Sequence, residues 1–138
     1  MGSFFGILLE WKFVRSQKND FAKKIKLDGK RVDFLPAISK RNADNRYLKT
    51  FRTSEINLIG KWSNSNVNLF IYQQYDFIIY PDLYLNNEME NILIRSHAKC
   101  RVGFIHNRLN LFELLLKSDN EYDINYRLMK LYSYIKKI

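Results

Sequence analysis

Residues 75–80 read Tyr-Asp-Phe-Ile-Ile-Tyr, and Pro81 follows them directly. A nearly continuous apolar run of this length is typical of a strand that is covered on both faces, as in parallel sheets. A second run, at 99–105, reads Lys-Cys-Arg-Val-Gly-Phe-Ile. Its alternation predicts a strand with one face made of Cys100, Val102 and Phe104.

A helix is predicted between these two strands. Residues 87–90 read Asn-Glu-Met-Glu, which is the spacing of a capping box with Asn87 as the N-cap. The buried stripe of this helix is predicted to consist of Met89, Ile92 and Leu93. Strand, helix and strand within about 30 residues predict a right-handed βαβ unit and therefore an α/β fold.

Further elements are predicted on either side of this unit. Residues 47–51 and 111–116 have strand character, and residues 67–71 predict a short helix after several candidate N-caps. The C-terminal helix is predicted to follow a second capping box and to carry an apolar stripe of Ile124, Leu128, Leu131, Ile135 and Ile138. We therefore predict a small, mostly parallel sheet of three to four strands with flanking helices in residues 47–138.

The first 46 residues are predicted to form a basic, partly irregular N-terminal arm. Their apolar residues are sparse apart from a short helix that includes Ile25. Residues 28–30 read Asp-Gly-Lys and have turn character, while Pro36 disfavours regular structure just before it. The chain is thus predicted to divide into an arm, 1–46, and a small α/β domain, 47–138.

Charge is distributed unevenly along the chain. Its 138 residues carry a formal net charge of +9, and this length suits one domain with a hydrophobic core. Residues 1–61 hold 14 Lys and Arg against 6 Asp and Glu, whereas residues 62–138 hold 9 against 8. A basic part next to a nearly neutral part predicts a polyanionic partner.

Other compositional features narrow the class of protein. A single cysteine, Cys100, excludes an intrachain disulfide framework. The apolar run at residues 4–9 is too short for a membrane span and lacks the layout of a signal peptide. We therefore expect a cytoplasmic protein with no membrane partner.

Aromatic residues are interleaved with the cations of the basic part. Cations neutralise phosphates, and aromatic rings stack on unpaired bases. We predict a non-enzymatic, RNA-binding structural protein that docks on structured RNA, with ribosomal RNA and neighbouring ribosomal proteins as its partners. The alternative is a solvated basic face. The predicted RNA-binding residues are Lys12, Arg15, Lys18, Lys23, Lys24, Lys26, Lys30, Arg31, Lys40, Arg41, Arg46, Lys49 and Arg52.

Two stretches carry a family resemblance. Tyr-Asp-Phe-Ile-Ile at 75–79, followed by Ser-His-Ala-Lys-Cys-Arg-Val-Gly-Phe at 96–104, resembles an uncharacterised domain family of Bacteroidota. The resemblance covers roughly residues 47–138 and implies a Rossmann-like α/β fold without an activity to transfer. The pattern also resembles the first domain of heptosyltransferase-type glycosyltransferases, although 138 residues leave no space for their second domain.

No catalytic group, metal or cofactor is predicted. His97 and His106 have no nearby carboxylate to complete a ligand set, and Cys100 is interpreted as a small buried hydrophobe. Gly103 is interpreted as a packing position, and Asp82 suits a turn or a helix cap, of which the cap is favoured. The alternative function is a remnant nucleotide or nucleotide-sugar binding domain with its ligand near both, since ligands bind where parallel strands end. A protein-interaction module that uses the C-terminal helix is a third hypothesis.

Overall fold

A computed structural model describes residues 3–10, 23–38, 51–52, 55–57, 59–104, 111–117 and 124–136. Within these ranges the chain forms six strands: β1 (Phe4–Glu10), β2 (Arg31–Ile38), β3 (Phe51–Arg52), β4 (Phe77–Tyr80), β5 (Arg101–Phe104) and β6 (Leu114–Leu116). The helices are α1 (residues 23–27), α2 (Ser65–Tyr72), α3 (Asn87–Arg95) and α4 (Ile124–Ile135).

The strands form one parallel sheet in the order β3-β2-β1-β4-β5-β6. The order runs outward from β1 in one direction and from β4 in the other, so it reverses between these two central strands. Because every neighbouring pair is parallel, all strands end at the same edge of the sheet, here named the carboxyl edge. The opposite edge, where the strands begin, is named the amino edge.

Helices cover both faces of the sheet. Alternation along β1 sends Leu8 into the core that α2 and α3 share with the sheet, and Ile7 into the core shared with α1 and α4. β4 divides in the same way, since Ile78 belongs to the first core and Ile79 to the second. Burial on both sides explains why these strands are apolar runs.

Several predictions from the sequence are confirmed. The protein has an α/β fold with a parallel sheet and flanking helices. In the predicted βαβ unit, β4 is covered on both faces, and the predicted stripe of α3 is buried. The part of the C-terminal stripe whose side chains are described is also buried, namely Leu128, Leu131 and Ile135.

The prediction of three to four strands was too low, because two strands lie within residues 1–46. β1 is paired with β2 over its whole length, from Phe4 opposite Arg31 to Glu10 opposite Ala37. The expectation that the residues just before Pro36 are irregular is therefore wrong. A proline is tolerated in a strand where its nitrogen is not needed as a donor, and β3 pairs only with the residues that follow Pro36.

Two local boundaries also differ from expectation. The N-cap of α3 is Asn86 and not Asn87, since the Asn86 side chain accepts a hydrogen bond from the Met89 backbone N–H. Both residues are asparagines, so composition does not distinguish them. The strand predicted at 47–51 is described only at its end, in β3. The second capping box and residues 13–22 of the predicted first helix lie outside the described residues.

Candidate functional site

The strand order reverses between β1 and β4, and both strands end at the carboxyl edge. After β1 the chain continues to α1 on one face, and after β4 it continues to α3 on the other face. Connections that diverge in this way leave a crevice between the two strand ends in open α/β sheets, and we name the place between the ends of β1 and β4 the crevice. In open α/β sheets this is the place where ligands bind.

The segment after β4 lies at this place and is held by its own hydrogen bonds. Asp82 follows the buried Pro81, and its Oδ1 accepts a hydrogen bond of 3.1 Å from the Tyr84 backbone N–H. The Tyr80 phenol donates to the Tyr84 carbonyl oxygen. These bonds hold the Tyr84 backbone in place while its side chain remains 83 % exposed.

A buried arginine reaches the same segment from α4. Arg127 is only 7 % exposed, and its Nε donates a 2.8 Å hydrogen bond to the Pro81 carbonyl oxygen. This hydrogen bond holds the Arg127 guanidinium against the end of β4, beneath the surface of the protein.

The residues at this place offer three kinds of recognition. The Arg127 guanidinium can attract an anion such as phosphate or carboxylate, and the Asp82 carboxylate can accept hydrogen bonds from hydroxyl groups. The exposed Tyr84 ring is a flat surface on which a heterocycle can stack. These groups suit a ligand that combines an anion, hydroxyls and a ring.

Sequence reasoning found Asp82 but missed Arg127 and Tyr84. Asp82 was expected near the end of a strand and lies there. Of the two expected roles, a turn or a helix cap, the structure shows the turn, because the Asp82 side chain accepts a hydrogen bond from the Tyr84 N–H. Arg127 is separated from Pro81 by 46 positions. An arginine beside Leu128 in an amphipathic helix carries no signal that it is buried.

Gly103 serves packing. A Cβ atom at this position would lie 2.7 Å from Cε1 of the Phe112 ring, which is closer than such atoms approach. The glycine thus lets the Phe112 side chain lie flat on β5. This finding favours the packing interpretation of Gly103 over a close approach to a ligand.

The remaining reactive side chains lie away from the crevice. His97 follows α3, where its ring is 5.2 Å from the Tyr72 ring, and His106 lies outside the described residues. Burial raises the pKa of the Cys100 thiol, which keeps the sulfur protonated and disfavours a nucleophilic role. Within the described ranges, no three His, Cys, Asp or Glu side chains are placed to hold a metal ion.

A groove between β2 and α2 is a separate feature, with a volume of about 240 Å³. At its wall the Tyr75 phenol donates a 2.9 Å hydrogen bond to Oδ2 of Asp33. Burial, together with this carboxylate, raises the pKa of Tyr75. The phenol and the carboxylate are hydrogen-bonded to each other, so this pair has a structural role in the wall of the groove.

The predicted RNA-binding cations do not form a single arm in the described part of the chain. Lys23, Lys24 and Lys26 lie in α1, and Lys30 and Arg31 lie at the amino edge where β2 begins. Arg52 lies in β3 at the carboxyl edge, where it is paired with Ile38 of β2. The residues of this prediction outside the described ranges are Lys12, Arg15, Lys18, Lys40, Arg41, Arg46 and Lys49.

The C-terminal helix is covered by the sheet. Leu128, Leu131 and Ile135 pack in the same core as strand residues of β1, β4 and β5. The protein-interaction hypothesis required this stripe to be uncovered, and the structure thus contradicts that premise for these three residues.

Comparison with known proteins supplies a family and no individual relative. No curated protein and no solved structure matches the chain. Among the described residues, no helix combines the length and apolar character needed to cross a membrane. A family model matches residues 5–138, so the family extends beyond the region 47–138 and includes the two strands of the N-terminal segment. The chain belongs to this family, which is described as a family of unknown function (DUF6913).

Proposed function

We propose that the protein binds a nucleotide-class ligand in the crevice between the carboxyl ends of β1 and β4. One observation carries the proposal, namely the strand order β3-β2-β1-β4-β5-β6 with its reversal between β1 and β4. A sheet with this order places its ligand where the order reverses. A binding role is proposed, and catalysis is not part of it.

The chemistry of the crevice supports this class of ligand. Arg127 would attract the phosphate, the Asp82 carboxylate would accept a hydrogen bond from a ribose hydroxyl, and the Tyr84 ring would stack on the base. Asp82 is hydrogen-bonded to the Tyr84 backbone, and Arg127 is hydrogen-bonded to the Pro81 carbonyl oxygen. Asp82 and Tyr84 therefore lie in one short segment at the end of β4, and the buried Arg127 lies against the same segment.

The sequence after β1 defines how the phosphate would be held. Dinucleotide-binding sheets carry a glycine-rich turn there, whose backbone N–H groups surround the pyrophosphate. Residues 10–15 read Glu-Trp-Lys-Phe-Val-Arg and contain no glycine. We therefore assign the attraction of the phosphate to a side-chain cation, Arg127.

Thermal shift measurements would test the proposal with nucleoside mono-, di- and triphosphates and nucleotide sugars. A ligand at 100 times its Kd stabilises the folded state by about 2.7 kcal/mol, and the Tm should rise by several degrees. Inorganic phosphate alone should give a smaller rise, because it lacks the base and the ribose. If no member of the panel raises the Tm at millimolar concentration, the proposal fails.

Variants of Tyr84 and Asp82 test whether the ligand binds in this crevice. Tyr84→Ala removes the stacking surface, which contributes about 1–3 kcal/mol for a base, so the Kd should rise about 5- to 150-fold. Asp82→Asn retains an oxygen for the turn to Tyr84 while it removes the charge, and should also weaken binding. Tyr72→Ala is the matched control, since Tyr72 is 61 % exposed at the end of α2. Equal losses in the Tyr84 and Tyr72 variants would place the ligand elsewhere.

A further inference from the structure

Cations gather at the amino edge, on the side of the sheet opposite the crevice. β2 begins there with Arg31, and β5 begins one residue beyond Cys100. The helices run back from the carboxyl edge and end at the same side. We name this group the amino-edge surface and define it as Lys26, Lys30, Arg31, Lys99 and Lys136.

Contacts link these residues into one region. The Arg31 guanidinium lies 4.1 Å from the centroid of the Phe4 ring, at the start of β1. The Lys99 Nζ lies 3.3 Å from Oδ1 of Asp76, whose Oδ2 accepts a hydrogen bond from the Phe4 backbone N–H. Lys30 is close enough to Asp76 to help lower the pKa of that carboxyl, after the Phe4 hydrogen bond and Lys99.

The surface continues to the end of α4. The Lys136 Nζ lies 5.7 Å from the centroid of the Tyr132 ring, and Tyr132 is hydrogen-bonded to Asp28 in the turn after α1. Lys24 Nζ lies 3.5 Å from the same Asp28 carboxylate. Within the described residues, Asp28 and Asp76 are thus each placed among lysines, and the region keeps an excess of positive charge.

Most cations of the amino-edge surface are exposed to solvent and therefore accessible to a partner. Lys26, Arg31, Lys99 and Lys136 are exposed, and the Lys99 side chain is 71 % exposed despite its ion pair. Exposed ion pairs are weak because water competes for both charges. A phosphate can therefore replace or join the carboxylate next to these lysines.

We propose that the amino-edge surface binds the phosphate backbone of RNA. Separate phosphates along a strand can each lie against a lysine or arginine, while the intervening carboxylates face the gaps between phosphates. The continuous negative charge of an anionic membrane would meet both carboxylates at once, which disfavours a membrane as the partner. Arg31 offers a planar guanidinium, which bonds phosphate oxygens in pairs.

The amino-edge surface differs from the set of RNA-binding residues that the sequence predicts, because it includes Lys99 and Lys136. Lys99 and Lys136 lie far from the basic N-terminal part in the sequence. The fold brings Lys99 and Lys30 to the same carboxylate, Asp76, and brings Lys136 close to Asp28. The RNA surface and the nucleotide crevice lie at opposite edges of one sheet. Binding at one edge does not require the other, so each proposal can fail without the other.

Fluorescence anisotropy with a labelled single-stranded RNA and with a labelled hairpin would test this surface at several salt concentrations. The test variant is Lys30→Gln/Lys99→Gln. The control is Lys61→Gln/Lys117→Gln, which removes the same charge from two exposed lysines away from the amino edge. Loss of two phosphate contacts on a single strand should lower the slope of log Kd against log salt by about 1.4. The control should retain the slope of the unaltered protein.

A charge-conserving variant and a second polyanion complete the experiment. Lys30→Arg/Lys99→Arg should bind RNA as the unaltered protein does, and thermal melting should show that all three variants fold. Equal weakening in the test and control variants, or no weakening in either, would overturn the proposal. Binding to phosphatidylserine vesicles without binding to RNA would also overturn it.

Discussion

The Tyr132 phenol donates a 2.6 Å hydrogen bond to Oδ2 of Asp28, across 104 positions of sequence. This bond ties α4 to the turn that follows α1, on the same face of the sheet. Asp28 also faces Lys24 through an ion pair within one helical turn. The hydrogen bond to Tyr132 is the main cause of the lowered pKa of Asp28.

We expect Tyr132→Phe to destabilise the protein while it leaves the core filled. The substitution keeps the buried ring and removes only the donor to a charged acceptor, so the Tm should fall by a few degrees at pH 7. Tyr134→Phe is the control, since Tyr134 is an exposed tyrosine of the same helix. An unchanged Tm for Tyr132→Phe would show that the bond does not stabilise the fold.

This effect should depend on pH in one direction. The pKa of Asp28 is lowered in the folded protein, so its contribution is present above the pKa of the unfolded chain, about 3.9. It is lost as the pH falls through the lower, folded value. Melting curves at pH 7 and pH 3 should therefore show a smaller difference between Tyr132→Phe and the unaltered protein at pH 3. An equal difference at both pH values would contradict the role of the Asp28 charge.

Gly103→Ala should destabilise the protein by about 1–3 kcal/mol, as overpacked core positions do. The added methyl group would lie 2.7 Å from the Phe112 ring and must displace it. Urea denaturation measures the loss, and Phe112→Leu in the same background should recover part of it. If the double variant Gly103→Ala/Phe112→Leu is no more stable than Gly103→Ala alone, a residue other than Phe112 limits the space at position 103.

Asn86→Ala and Asn87→Ala form a matched pair at the start of α3. Asn86 accepts the Met89 N–H at 2.8 Å, so its replacement should lower the free energy of unfolding by about 1 kcal/mol. Asn87 is the first helical residue, where alanine is a better helix former. Its replacement should be neutral or slightly stabilising by urea denaturation. The reverse order would assign the cap to Asn87.

Association with the ribosome stays a prediction that a sucrose gradient tests. In low salt the protein should sediment with ribosomal particles, and it should return to the top of the gradient in high salt as the phosphate contacts are lost. The Lys30→Gln/Lys99→Gln variant should be released at a lower salt concentration than Lys61→Gln/Lys117→Gln. A protein that stays at the top of the gradient in low salt is not ribosome-associated.

The elements with strong periodicity could be read from the sequence. β4 is an unbroken apolar run because both of its faces are covered. α3 has an apolar stripe at helical spacing because only one of its faces is covered. β2 carries the exposed residues Arg31 and Asp33 in its first half and Pro36 in its second. Because charged residues and a proline are not typical of a buried strand, the sequence predicts an arm where the structure has a strand.

Only part of the candidate site could be predicted from the sequence. Asp82 follows an evident strand, and its place at the carboxyl edge could be expected from the sequence. Arg127 could not be assigned, because its burial depends on how α4 crosses the end of β4. Lys99 likewise comes close to Lys30, and Lys136 to Asp28, only after the sheet and α4 have formed.

The sequence by itself determined the α/β class, the βαβ unit from β4 to β5 and the excess of positive charge in its first half. These features are local, since they depend on the period of apolar residues and on composition. Tertiary structure alone decided that β1 and β2 belong to the sheet, where the strand order reverses and which cations share an edge. Strand order depends on pairings between residues far apart in the chain, whose energies arise from packing that no local period records.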